Sequence, residues 1–352
     1  MDVYTMEETW AETQGAGVTV AVIDTGVDGS HPDLTGQVLK GKDFTGAGDP
    51  QEDKVGHGTS MASLIAAHGH GAGNGSGMMG IAPKSKILPL RVLQEKDEKL
   101  LDEEWAAAVR YAVDSGVKVI NLSISNEAGK TLQVGQEAIA YAQAHDVLVV
   151  SGTGNEGGAV GYPAALPGVV AVSAVDKNGE FWESSGAGKE VDLAAPGVDV
   201  LSADPTNPKR YSLAQGTSDA TAIVSGAAAL VRSKYPDLTA GQVANRLIKS
   251  ASFLGQKGLT APDDKYGYGV VRPNKAVTMD IPKGPKEGPL GKLPSDTATK
   301  AGGAEGSGSE ESGASDEGSS SGSNLPVVIG GGVVAVLIVI GVIFAVARGR
   351  RS

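Results

Sequence analysis

A chain of 352 residues has room for one large α/β domain with tails, or for two ordinary domains. Its 41 acidic and 30 basic side chains leave a net charge of −11, which excludes the clustered basic face of a nucleic-acid binder. There is no cysteine, so disulfides, thiol nucleophiles and Cys-ligated zinc are excluded as well, while the compartment stays open.

Residues 1–282 mix apolar runs, amphipathic stretches and glycine turns, as a globular domain does. The run GVTVAVI at 17–23 is apolar and β-branched without alternation, which predicts a strand buried on both faces. A helix-like run follows at 59–67, a strand at 87–93, a helix at 101–115 and a strand at 117–123. A helix at 132–144, strands at 147–151 and 169–175, and a small-residue helix at 219–235 complete the pattern. Strand and helix in alternation imply right-handed crossovers and an α/β fold: a doubly wound, mostly parallel sheet with helices on both faces. Only 4 Phe and 3 Trp against 51 Gly fit close packing of helices on such a sheet. Ligands on these sheets bind beyond the C-terminal ends of the strands.

Residues 283–324 are rich in Gly, Ser, Glu, Lys and Pro and almost devoid of aliphatics, so they read as a disordered linker. As a flexible coil, 42 residues would span roughly 35 Å root-mean-square. Residues 325–347 carry no charge over 23 positions and, at about 1.5 Å per residue, reach roughly 34 Å, enough for one transmembrane helix. Three arginines at 348–352 then place the C-terminus in the cytoplasm and the globular domain outside. An exported domain needs a signal peptide, and MDVYTMEETW has neither a basic nor an apolar region, so the leader is expected to precede this start.

Three residues stand out for chemistry. Asp24 closes the first strand, a poor place for packing and a good one for a site. His57 has glycine on both sides, which lets backbone or substrate approach its ring, and a helix-like run follows it directly. Ser218 opens the helix at 219–235, near the positive end of its dipole. Each alone has an ordinary reading, as a turn-capping Asp, a structural His and an N-cap Ser. Together they supply what a weak hydroxyl nucleophile needs: a base to take its proton and a carboxylate to orient the base. Their order along the chain, Asp then His then Ser, is one of the known arrangements of such a triad.

The blocks around them carry a resemblance. VAVIDTGVDGSHPDL, GHGTSMASLIA, MMGIAPKSKILPLRVL, VKVINLSIS, VVSGTGNEG, VDLAAPGVDVLS, QGTSDATAIVSGAAALV and YGYGVV resemble the subtilase family over roughly residues 14–280. The resemblance implies a subtilisin-like serine endopeptidase acting on polypeptide substrates. It implies that Asp24 orients the imidazole, that His57 is base and then acid, and that Ser218 is the nucleophile. The side chain of Asn155, in Gly154-Asn155-Glu156-Gly157, and the backbone N–H of Ser218 would form the oxyanion hole. Leu122, Ser123, Ile124 and Ser125 would pair with an extended peptide, and with Ser151, Gly152, Thr153 and Gly154 would wall the pocket before the cleaved bond. Ser125 stands where the family often has glycine. Asp219-Ala220-Thr221-Ala222 replaces the family's Met-Ala-Ser-Pro or Phe-Ala-Ala-Pro. A charge at Asp219 either disfavours the oxyanion or stabilises the helix start. The propeptide that usually assists folding is also expected upstream.

Domain, linker, span and basic tail together resemble the mycosins, the membrane-anchored subtilases associated with type VII secretion in actinobacteria. That likeness adds a membrane and a type VII secretion complex as expected partners. His68-Gly69-His70 has too few ligands for zinc, and the following loop offers Asn74 but no acid for calcium, so no metal and no cofactor is expected. A silent subtilase acting as a structural subunit is the alternative, motivated by Asp219. A nonproteolytic α/β hydrolase is disfavoured, since no Gly-x-Ser-x-Gly elbow surrounds Ser218.

Overall fold

The computed structural model describes residues 5–293, apart from 47, 96–100 and 126–130. Helix α1 (Met6–Glu12) leads into strand β1 (Thr19–Asp24), which is buried from Val20 onward. Its side chains alternate between two apolar cores, Val20 and Val22 entering one, Ala21 and Ile23 the other. Both faces are covered, which is why the run shows no polar alternation. Then come β2 (Lys42–Asp43), α2 (His57–Ala66), a hairpin of β3 (His68–His70) and β4 (Ser76–Met79), and β5 (Lys86–Arg91). Helix α3 (Asp102–Asp114) carries the chain to β6 (Val119–Leu122), and α4 (Gln133–Ala144) to β7 (Leu148–Gly152). Strands β8 (Val169–Val175) and β9 (Val191–Pro196) extend the sheet, and β10 (Val200–Ala203) with β11 (Tyr211–Ala214) makes a separate hairpin. Helices α5 (Thr217–Lys234), α6 (Ala240–Ser250) and α7 (Pro273–Thr278) follow.

The main sheet runs in the order β2-β5-β1-β6-β7-β8-β9, and every pairing in it is parallel. The order reverses at β1, whose two neighbours are β5 and β6. In a sheet of this kind the crevice beyond the strand ends at that reversal is where a ligand binds. Helices α2, α5, α6 and α7 cover one face, and α3 with α4 covers the other. Helix α5 is central because its side chains are small. Gly226 lies so close to Ile81 that a β-carbon on it would stand 2.7 Å from the Ile81 Cβ. On the other face Trp105 is 1% exposed, and Asp102 ties the start of α3 to the start of α4. Its carboxylate accepts hydrogen bonds from Trp105 Nε1, Thr131 Oγ1 and the backbone of Leu132.

The α/β class, the parallel sheet with helices on both faces, and each predicted strand and helix are present, with ends displaced by a few residues. The reading of the sequence left out β2, β9, both hairpins, α1, α6 and α7. The chain beyond 282, where the linker was expected to begin, still packs on the domain. Carbonyls of Gly284, Lys286 and Gly291 accept hydrogen bonds from Gln242, Thr239 and Gln143, and Leu290 and Leu293 pack against the two cores. Among the described residues no helix is long and apolar enough to cross a membrane. The rest of the expected linker, the span at 325–347 and the basic tail at 348–352 lie outside the described residues.

Candidate active site

Asp24 is the last residue of β1, and its side chain is fully buried. Its Oδ1 accepts the backbone N–H of Thr25 at 2.8 Å and lies 2.7 Å from His57 Nδ1. His57 is the first residue of α2, and two glycines make that placement possible. Gly56 adopts φ 91°, in the left-handed region that favours glycine. A β-carbon on Gly58 would stand 2.0 Å from the Gly26 carbonyl oxygen and 3.2 Å from Asp24 Cβ. The glycines flanking His57 thus let α2 start against the end of β1, so that the imidazole, 37% exposed, sits over the carboxylate.

The turn into α2 is built on Asp53, which sequence reasoning missed. Asp53 Oδ1 accepts from Thr25 Oγ1, Val55 N and Gly56 N, and Oδ2 accepts from Thr59 N and Thr59 Oγ1. Thr25 Oγ1 in turn accepts from Gly58 N at 3.0 Å. The signal was available: an acid shortly before a helix start satisfies N–H groups that have no partner within the helix.

Burial disfavours a charge on His57, but the Asp24 carboxylate overrides it through its charge and its hydrogen bond. Asp219 and Asp53 add to the attraction, and the imidazole is raised to about 9.

Ser218 is the second residue of α5, and the N-cap is Gly216, so the serine does not serve as the cap. Its hydroxyl donates to the Ser123 carbonyl at 3.3 Å, while Ser123 Oγ donates to the Ser218 carbonyl at 3.1 Å. Behind this pair Asn121 Nδ2 donates to Ser123 Oγ, and Ser225 Oγ donates to Asn121 Oδ1. The first turn of α5 is therefore fastened to the end of β6, next to β1 in the sheet. Among the described residues no hydrogen bond joins the Ser218 hydroxyl to His57. Asp219 follows Ser218, is 2% exposed, and is raised to about 6 by burial, with the charge of His57 pulling against that rise.

Asn155 lies exposed on the loop after β7. Its Oδ1 accepts from Thr217 N at 2.9 Å and from Thr217 Oγ1 at 3.1 Å, which leaves Nδ2 free to donate elsewhere. A β-carbon on Gly216 would lie 3.6 Å from Asn155 Nδ2 and 3.6 Å from Ser218 N. Asn155 and the Ser218 N–H therefore lie near one another on either side of Gly216, beside the serine.

A cavity of about 270 Å³ opens alongside, lined by Thr153, Gly154, Glu156, Gly157, Ala159, Val160 and Gly161. A β-carbon on Gly154 would stand 3.4 Å from Ser125 Oγ, so the ends of the two predicted stretches lie close together. Ser151 and Gly152 lie buried within β7, and Leu122 is buried within β6. Ser123 and Ile124 are buried as well, Ser123 behind the serine hydroxyl. Of the two predicted stretches, Thr153 and Gly154 reach the cavity lining, which continues through residues not predicted for it.

The histidines of the β3–β4 hairpin turn to separate partners. His68 Nε2 meets the Thr35 carbonyl at 2.9 Å, and His70 Nδ1 lies 2.5 Å from Asp33 Oδ1. The sequence showed no carboxylate near them, because Asp33 is distant along the chain. Among the described residues no group of three or more His, Cys, Asp or Glu is placed to hold a metal ion.

Comparison with known proteins matches the subtilase family to residues 15–269. Subtilisin DY of Bacillus licheniformis is 36% identical over 269 residues, covering 75% of this chain and 92% of that protein. MycP1 from Mycobacterium smegmatis is 29% identical with a TM-score of 0.71, over 83% of this chain and 88% of that one. The MycP3 protease from the type VII (ESX-3) secretion system is 32% identical with a TM-score of 0.66, over 79% of this chain and 87% of that one.

Proposed function

The chain belongs to the subtilase family and is a serine endopeptidase of the subtilisin type, and from that premise we propose that Asp24, His57 and Ser218 carry its chemistry. The observation that carries the reading is the 2.7 Å contact between His57 Nδ1 and Asp24 Oδ1, at the end of β1 where the strand order reverses. With Nδ1–H held by the carboxylate, Nε2 is the free base. Ser218 Oγ leaves the Ser123 carbonyl, gives its proton to Nε2 and attacks the peptide carbonyl carbon. The oxygen that becomes negative is held by Asn155 Nδ2 and the Ser218 N–H. As the C–N bond breaks, the imidazolium returns the proton to the leaving amine, and an acyl-enzyme remains on Ser218. Water, deprotonated by the same Nε2, then attacks the ester, and collapse of the second tetrahedral intermediate restores the hydroxyl.

The substrate lies between Ser125 and the Thr153–Gly154 side. The residue before the cleaved bond enters the cavity beside Glu156, whose carboxylate favours a basic or polar side chain there. The protease domain stands outside the cell on a linker and one C-terminal span, as part of a type VII secretion assembly. Two observations support this: the likeness to MycP1 and to the MycP3 protease, and the uncharged run at 325–347 followed by arginines. Steady-state hydrolysis of chromogenic peptide anilides by the detergent-solubilised chain tests the activity, and membrane fractionation of the expressing cells tests the anchor. Hydrolysis that Ser218→Ala leaves intact would overturn the triad, and recovery of the full-length chain in the soluble fraction would overturn the anchor.

A further inference from the structure

The buried carboxylate of Asp24 is held at one oxygen only. Its Oδ2 has no hydrogen-bond partner among the described residues. Its orientation therefore depends on two contacts to Oδ1, from the Thr25 N–H at 2.8 Å and from His57 Nδ1 at 2.7 Å. Apart from the ring it has to aim, Thr25 is its one hydrogen-bonding anchor. The side chain of Thr25, itself 2% exposed, reaches the other way. With five donors around it, the Asp53 carboxylate can only accept, so the Thr25 hydroxyl spends its single proton on Asp53 Oδ1 at 2.9 Å. Its lone pair takes the Gly58 N–H, from α2, at 3.0 Å. Thr59 mirrors this from the opposite side. Its hydroxyl donates to Asp53 Oδ2 at 2.7 Å and accepts the N–H of Asp28, from the chain after β1, at 2.9 Å. Two hydroxyls thus cross between β1 and α2 in opposite directions, and both end on Asp53. The amides of Gly56 and Thr59 reach the same carboxylate directly, so the backbone on both sides of His57 is tied to it.

This inference rests on Asp24 and His57 being the orienting carboxylate and the base. We propose that Thr25 and Asp53 are positioning residues, a brace that locks the start of α2 to the end of β1 and so fixes the distance and angle between the Asp24 carboxylate and the imidazole. The two members of that pair come from different elements, and a hydrogen bond of 2.7 Å tolerates little drift between them. Without the Thr25 hydroxyl, the Gly58 N–H is left buried and unpaired, and Asp53 loses its direct hold on the residue that anchors Asp24. Helix α2 cannot compensate by moving inward. A β-carbon on Gly58 would already stand 2.0 Å from the Gly26 carbonyl oxygen, so the backbones there are in close contact. The displacement open to α2 is outward, which lengthens the contact between His57 and Asp24.

The test measures hydrolysis of a peptide anilide and thermal unfolding of the full-length chain. Alongside, the downfield proton resonance of His57 Nδ1–H is recorded at one pH and identified by its loss in His57→Ala. Thr25→Val keeps the shape of the side chain and removes the hydroxyl. It should lower kcat by roughly 10- to 100-fold while KM stays within a few-fold, and shift or broaden the Nδ1 proton signal. Thr25→Ser restores the hydroxyl and should return kcat to within a few-fold of the wild type, with the signal in place. Asp53→Asn, which takes an acceptor from the same brace, should lose at least as much as Thr25→Val and serves as the second variant if valine disturbs folding. A folded Thr25→Val or Asp53→Asn protein with wild-type kcat and an unmoved signal overturns the brace even where its melting temperature falls, because helix capping alone then remains. A loss in Thr25→Ser as deep as in Thr25→Val assigns the effect to packing and overturns it too. In either case, activity still abolished in Ser218→Ala leaves the triad standing. Hydrolysis that survives Ser218→Ala overturns the triad and this inference with it.

Discussion

Replacing Asn155 by alanine removes one of the two donors proposed to hold the oxyanion, and the cost can be worked out from its contacts. Its carbonyl is committed to Thr217, so only Nδ2 is available to a substrate oxyanion. Loss of one such donor costs about 3–4 kcal/mol of transition-state stabilisation, or roughly 10²–10³-fold in kcat. The donor acts on charge that develops only in the transition state, so KM should stay within a few-fold. The same change strips acceptors from Thr217, which is 2% exposed, and an orphaned buried N–H costs about 1–3 kcal/mol of fold stability. Asn155→Asp separates the two effects, because it keeps an acceptor for Thr217 while losing the donor. The assay is steady-state hydrolysis of a peptide anilide, with thermal unfolding recorded on the same samples. A fall in kcat of less than about tenfold in a well-folded Asn155→Ala protein would refute the reasoning.

Asp24→Asn leaves the hydrogen-bond geometry nearly intact but favours the wrong tautomer of His57, and should lower kcat by about 10⁴ while bringing the imidazole down from about 9; steady-state kinetics and a histidine titration check the two parts. Asp192, in β9, accepts the Ala171 N–H at 3.0 Å and is raised by burial to about 7, so its contribution to stability is full below the unfolded carboxylate value and is lost as pH rises through about 7. Asp192→Asn should therefore flatten the pH dependence of denaturant midpoints across that window, and an unchanged slope would contradict the assignment. Gly58→Ala would put a β-carbon 2.0 Å from the Gly26 carbonyl oxygen, forcing α2 away from β1, with an expected loss of roughly 1–3 kcal/mol in denaturant unfolding and a larger loss of kcat. A variant with normal stability and normal kcat would show that this contact is not what seats His57.

The parallel sheet was legible because strands buried on both faces need long apolar runs, and β1, β7 and β8 supply them. Strand β9 was not, since VDLAAP carries an aspartate and a proline that hide its period, and because its partner contacts come from β8 and the bridge at Val270. The short hairpins gave no periodicity at all. In the proposed site, Asp24, His57 and Ser218 stood out from their positions at element boundaries, each within two residues of a glycine. Asp53 was passed over because its work is local capping, visible only once Thr25, Gly56 and Thr59 are brought around it. Asp219 was legible as an oddity beside the serine, but no spacing in the sequence shows that its carboxylate is buried with Oδ1 unpaired. The linker boundary was set by composition, and composition does not reveal that Lys286 and Gly291 lend carbonyls to Thr239 and Gln143.

The most direct measurement is fluorophosphonate labelling of the full-length chain beside Ser218→Ala and His57→Ala, carried out at alkaline pH where His57 is neutral. An assembled triad predicts rapid labelling of the wild type at a single site, none in Ser218→Ala, and labelling slowed by orders of magnitude in His57→Ala. A folded wild-type protein that stays unlabelled, or one whose labelling is indifferent to both substitutions, would contradict the account.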